Sequence, residues 1–243
     1  MATFAAHNIV YEKRMNRLPP VTKNLLIINV LCWMGTMALA KYGIDVHQLL
    51  GLHFFLAPSF RLWQLVTYMF LHEGFQHIFF NMFAVWMFGR IMEVQWGYKR
   101  FLWFYIICGI GAGLMQELVQ LLQYEITLAS LGDEITPQLI QKFREYMNAF
   151  LTVGASGAVY GILLGYGMTF PDNQIFIIPF PFPIKAKWLV IGYIVLELGL
   201  GIRDSAGDNV AHFAHLGGML AGFLMILYWR HKERKDNHIK FTW

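Results

Sequence analysis

Six runs of apolar residues, separated by more polar connections, decide what this chain can become: residues 24–40, 77–95, 101–121, 149–170, 188–202 and 210–229. Crossing about 30 Å of hydrocarbon takes roughly 20 mostly apolar residues. In lipid the backbone must satisfy its own hydrogen bonds, so such runs are helices. Composition agrees: 57% of the 243 residues are apolar and only 14% are Asp, Glu, Lys or Arg, against about a quarter charged in ordinary soluble domains. A water-soluble enzyme of this size could not hide that much apolar surface. The same figures exclude a disordered chain, and the two cysteines exclude a disulfide-stapled module. Cys32 and Cys108 lie inside apolar runs and read as small core residues. The expectation is an all-α polytopic membrane protein with six transmembrane helices.

Its organisation reads as a basic N-terminal segment (1–23), a membrane domain (24–229) and a basic tail (230–243). No repeat or second domain is visible, and the first run lacks a small-residue cleavage site, which suggests an uncleaved anchor. Of the 19 Lys and Arg, 14 fall on the side of the termini. By the positive-inside rule both termini are cytoplasmic, as in a multi-pass protein of a bacterial plasma membrane. The formal charge of +4 therefore points to the lipid bilayer as a partner and not to nucleic acid. Residues 42–76 are too apolar for a solvated loop and are expected in the outer interface. Thr136-Pro137 should cap a surface helix over 138–147, and the proline-rich stretch 170–183 a stiff inner turn.

Polar groups inside spans are costly, so each is a functional candidate. Counting about 1.5 Å per residue from the outer end of each run puts Ser156, His215 and Asn81 roughly 10–12 Å deep, and His77 about 6 Å. Three runs thus deliver Ser, His, His and Asn to one outer layer. A serine hydroxyl needs a base to become nucleophilic, and imidazole is the usual one near neutral pH. Asn and His side chains can hold an oxyanion, and His77 and Asn81 share a helical face. Gly157, Gly161 and Gly165 form one small-residue stripe, and Gly218 and Gly222 another. Such stripes allow the close approach that a Ser156–His215 bond between spans requires. Tyr160, one turn below Ser156, could stack on His215.

The strings Gly154-Ala-Ser156-Gly157-Ala-Val-Tyr160, Ala214-His215-Leu-Gly-Gly218-Met-Leu-Ala-Gly222 and His77-Ile-Phe-Phe-Asn81 resemble the rhomboid family of intramembrane serine proteases, across roughly residues 24–229. The resemblance implies Ser156 as nucleophile and His215 as general base. It implies the Ser156 N–H, His77 and Asn81 as oxyanion hole, Tyr160 as support for His215, and no cofactor. Glu93 matches a structural acid, and Trp63 the first residue of a Trp-Arg pair whose second residue is Gln64 here. That departure puts the loop-anchoring role of the missing Arg in question. The implied substrates are single-span or polytopic membrane proteins.

Other readings compete at several positions. His212 shares a stripe with His215 but lies shallower and reads as a cap-region hydrogen-bonder. His72 and His77 with His212 and His215 suggest a metal site, yet no Cys, Asp or HExxH accompanies them, so no metal is expected. The Ser156 string departs from a strand–turn–helix nucleophile elbow, since position 158 is Ala and the context reads as helical. His7, His47, His53, His231 and His238 read as surface or interface residues. Glu197 reaches the catalytic depth and could orient His215 as a third member, although the resemblance implies a dyad. The rival functions are a catalytically silent rhomboid-like binding protein or chaperone and a small transporter; the second would call for repeats and broken helices.

Overall fold

The computed structural model describes residues 18–132, 135–176, 182–203 and 209–240. Most of the expected N-terminal segment, the middle of the proline-rich turn and the last three residues of the tail lie outside the described residues. Helix α1 is Pro20–Ala40. Its connection to the next long helix carries α2 (Val46–Leu50), strand β1 (Leu52–His53) and α3 (Gln64–Thr67). Then come α4 (Phe75–Ala84), a π-helical turn at Val85–Gly89, α5 (Arg90–Trp96), α6 (Tyr98–Leu131) and α7 (Pro137–Met147). Strand β2 (Leu151–Thr152) precedes α8 (Ser156–Thr169). Strands β3 (Gln174–Ile175) and β4 (Ile184–Lys185) pair antiparallel before α9 (Ala186–Ile202) and α10 (Asn209–Lys240).

Three of these helices are long and apolar enough to cross a membrane: α1, α6 and the Ala211–Lys235 part of α10. Residues 75–96 are divided by the π turn. Helices α8 and α9, of 14 and 17 residues, reach about 21 and 25 Å. Exposed Leu31, Phe80, Trp103 and Val195 make an apolar exterior, the sign of a lipid-facing surface. The centre is a trio in which α6, α8 and α10 pack on one another, around fully buried Phe101, Phe104, Tyr105 and Ile162.

Several expectations need correction. The fourth run is not helical throughout: β2 pairs with β1 (Leu52↔Thr152, His53↔Leu151) and the helix starts at Ser156. Residues 149–155 are therefore a turn, a two-residue strand and a bend, and the depth count by helical rise does not apply to Ser156. The third helix continues ten residues past Leu121 to Leu131, into what reads as polar loop. The tail continues α10 to Lys240 with no break at residue 230. The surface helix is as expected, with the Thr136 hydroxyl accepting from the Leu139 N–H at 3.2 Å.

Two buried polar side chains fix the frame of the site. The Glu93 carboxylate accepts from the N–H groups of Val21 (2.9 Å) and Thr22 (2.7 Å) and from the Thr22 hydroxyl (2.8 Å). It thereby caps the N-terminus of α1, where the helix leaves its donors free and favours negative charge. Gln64 anchors the 41–74 connection. Its amide donates to the carbonyls of Ser59 (3.2 Å) and Leu49 (3.4 Å), and its oxygen accepts from the N–H of Arg61 (2.9 Å). A neutral side chain thus holds the loop at the position where the family resemblance implies Arg. His53, read as a surface or interface residue, is fully buried, its ring nitrogens 2.9 Å from the Gln48 carbonyl and 3.1 Å from that of Asn148.

Candidate active site

Ser156 stands at the first turn of α8, just past Gly154, whose φ is +128°. L side chains rarely adopt that conformation. A Cβ on Gly154 would also lie 2.7 Å from His77 Nε2, so glycine here both makes the turn and admits the imidazole. The result is a short strand, a turn and a helix, which corrects the expectation of a helical context around the serine. The Ser156 N–H belongs to the helix's first turn and so has no carbonyl partner within the helix. A mid-helix serine would bond back to a carbonyl one turn earlier; in this position Oγ is free to face another helix.

It faces α10. His215 Nε2 lies 2.9 Å from Ser156 Oγ, at hydrogen-bond distance. The helices meet where Gly218 abuts the Gly157 backbone, the close approach anticipated from the two stripes. Tyr160 stacks on the His215 ring with centroids 4.2 Å apart and planes 10° from parallel. On the other side His215 Nδ1 is 3.1 Å from Glu197 Oε2, and His212 Nδ1 is 2.7 Å from the same oxygen. His212 is thus a hydrogen-bonder as expected, but its partner is a side chain of α9. Glu197 is 3% exposed.

Ser156, His215, Tyr160, His77 and Asn81 all line one open cleft of about 1660 Å³. Asn81 is buried and its amide donates to the His77 carbonyl at 3.1 Å, which leaves one amide hydrogen for the cleft. The cleft runs up to Gln120, Tyr124, Phe143 and Tyr146, and down between residues 75–96 and α9 to Ile175 and Phe176. Gln120 and Tyr124, in the C-terminal part of α6, carry no signal in the sequence, because a glutamine or tyrosine at the end of an apolar run belongs to no motif.

The histidine pairs suspected of holding metal are separated by role. His72 meets His77 edge to face with centroids 4.9 Å apart, and burial with His77 nearby holds His72 down to about 3. His212 and His215 turn instead to Glu197, the three donor atoms lying within 4.8 Å of one another. A tetrahedral zinc ion about 2.0–2.1 Å from each donor would space them roughly 3.3 Å apart. The 2.7 Å separation of Glu197 Oε2 from His212 Nδ1 is that of a charge-assisted hydrogen bond.

Fold and site together define a polytopic helical membrane protein with a serine–histidine pair facing a cleft inside the bundle. The Rhomboid domain matches residues 59–232, and the chain belongs to the rhomboid family. It is 28% identical over 234 residues to Rhomboid protease AarA of Providencia stuartii, covering 89% of this chain and 76% of that protein. With Putative rhomboid protease YdcA of Bacillus subtilis it shares 25% over 222 residues, 90% of this chain and 94% of the relative. RHOMBOID-like protein 1 of Arabidopsis thaliana is 27% identical over 198 residues, 81% of this chain and 40% of that protein. The chain spans only 33–42% of the length of RHOMBOID-like proteins 1, 2, 4, 5 and 6 of Arabidopsis thaliana.

Proposed function

We propose that the protein is an intramembrane serine endopeptidase that cleaves membrane-protein substrates near the outer ends of their transmembrane segments. The observation that carries this reading is the 2.9 Å approach of His215 Nε2 to Ser156 Oγ at the wall of a cleft within the helical bundle. Ser156 is the nucleophile and His215 the base. As Oγ bonds to the scissile carbonyl carbon, its proton passes to Nε2, and the carbonyl oxygen becomes an oxyanion. The Ser156 N–H, the free Asn81 amide hydrogen and His77 are the donors available to that oxygen. The C–N bond then breaks as Nε2 returns the proton to the departing amine. Water, activated by the same nitrogen, hydrolyses the acyl-enzyme by the reverse exchange.

The cleft supports a sideways approach of the substrate. Its lower part, between residues 75–96 and α9, is lined by Phe80, Phe83, Met87, Leu163 and Leu189, apolar walls that suit a transmembrane segment. Its upper part carries polar Gln120 and Gln123, which suits water and an unwound backbone. In this reading all six runs cross the bilayer, α8 from mid-depth, and both termini are cytoplasmic. The test is purified protein in detergent with a panel of single-span substrates, scoring cleavage and its position. Cleavage by wild type and none by a folded Ser156→Ala variant is expected. No cleavage and no labelling by a serine-directed covalent probe would favour a silent rhomboid-like binding protein.

A further inference from the structure

We infer that Glu197 is a positioning residue for His215, so that the site works as a Ser156–His215–Glu197 triad with His212 as a second donor to the same carboxylate. This rests on the serine-protease reading and goes beyond it, because a serine and a histidine suffice for that reading. The observations are geometric. Glu197 Oε2 is 3.1 Å from His215 Nδ1 while His215 Nε2 is 2.9 Å from Ser156 Oγ, so the imidazole bridges the acid and the nucleophile. The carboxylate is 3% exposed and comes from α9, a different helix from those bearing Ser156 and His215. Its other neighbours are also donors: His212 Nδ1 at 2.7 Å, and the Tyr160 hydroxyl.

The chemistry follows from the acceptor-only character of an ionised carboxylate. Its bond to Nδ1 requires the His215 proton to sit on that nitrogen, which leaves the Nε2 lone pair aimed at Ser156. An imidazole without this partner is free to place its proton on Nε2, and a serine cannot be deprotonated by an N–H. When Oγ attacks and Nε2 takes its proton, the imidazolium lies against the carboxylate. The proton on Nδ1 stays there; Glu197 is not protonated in the cycle. His212, bonded to the same oxygen, holds the carboxylate in place, and the stacked Tyr160 ring fixes the plane of His215. Three side chains from α8, α9 and α10 thereby determine one tautomer and one ring orientation.

The experiment compares wild type, Glu197→Gln, Glu197→Asp and Ser156→Ala in detergent on one single-span substrate. Glu197→Gln is expected to lower kcat about 100-fold or more while KM stays within about threefold, because an orienting acid acts mainly in the transition state. Glu197→Asp, which keeps the charge, should recover at least about tenfold of that loss. A merely structural acid would not separate kcat from KM, nor Asp from Gln. A loss smaller than about tenfold in folded Glu197→Gln, or equal losses in Asp and Gln, overturns the inference. Long-range proton–nitrogen spectra of wild-type protein labelled with 15N-histidine give a second readout. The His215 proton is expected on Nδ1; a proton on Nε2 overturns the assignment even if Glu197→Gln does not fold. If wild type and Ser156→Ala are equally inactive the protease reading fails, and the tautomer still reports on Glu197.

Discussion

Replacing Gly218 by alanine adds one methyl group at the place where α10 touches α8 most closely. A Cβ on Gly218 falls against the Gly157 carbonyl oxygen, 2.7 Å from the carbonyl carbon and 3.2 Å from the Gly157 Cα. Carbon atoms in contact prefer about 3.5–4.0 Å, so the helices must part by about 1 Å. Because the atoms struck are backbone, no rotamer change relieves the clash. His215 lies one turn from Gly218, and Ser156 is next to Gly157. The 2.9 Å bond between His215 and Ser156 therefore stretches to about 3.9 Å, beyond hydrogen-bond range. A misplacement of about 1 Å in a catalytic group can cost about 10²-fold in rate, and overpacking adds about 1–3 kcal/mol of destabilisation. The assay is kcat/KM on a single-span substrate beside the thermal unfolding midpoint in the same detergent. Gly192→Ala is the control, since a Cβ there meets nothing within 4 Å. Gly218→Ala with kcat/KM within about threefold of wild type would refute the claim that this contact sets the catalytic distance.

Ser156→Ala should abolish cleavage and labelling by a serine-directed probe while leaving the unfolding midpoint near wild type; cleavage by the folded variant would sink the nucleophile assignment. Asn81→Ala should lower kcat by about 10²-fold with little change in KM, as loss of one oxyanion donor does, and an effect on KM alone would remove Asn81 from that role. Glu93→Ala strips its partners from the N-terminus of α1 and should cost about 2–3 kcal/mol of stability, read as a lower midpoint with kcat/KM within about threefold. Gln64→Ala should likewise destabilise the protein by about 2 kcal/mol; an unchanged midpoint would show that the buried amide does not anchor its loop.

What the sequence disclosed, and what it withheld, divides along a physical line. Residue type at a given spacing reports which groups share a helical face, so His77 with Asn81, and Gly218 with Gly222, were readable. So was the meeting of the two glycine stripes, because small residues have one common use between membrane helices. The start of α8 was not, since Phe150-Leu151-Thr152-Val153 is a short apolar run that fits a buried helix or a strand equally well. The choice was made by pairing with Leu52 and His53, about a hundred residues earlier in the chain. The helical tail did have a signal: residues 230–240 contain neither Gly nor Pro, so nothing there stops α10. Glu197 shows the sharpest limit. Counting from the end of its run gives its depth, but each residue turns a helix by about 100°. Whether a side chain at that depth faces His215 or lipid therefore depends on the rotation of α9, which is set by its packing on α8 and α10. A polar residue in an apolar run shows that something must satisfy it. Only the packed helices show that Glu197 is satisfied by His212 and His215 of α10, the second of which touches the serine.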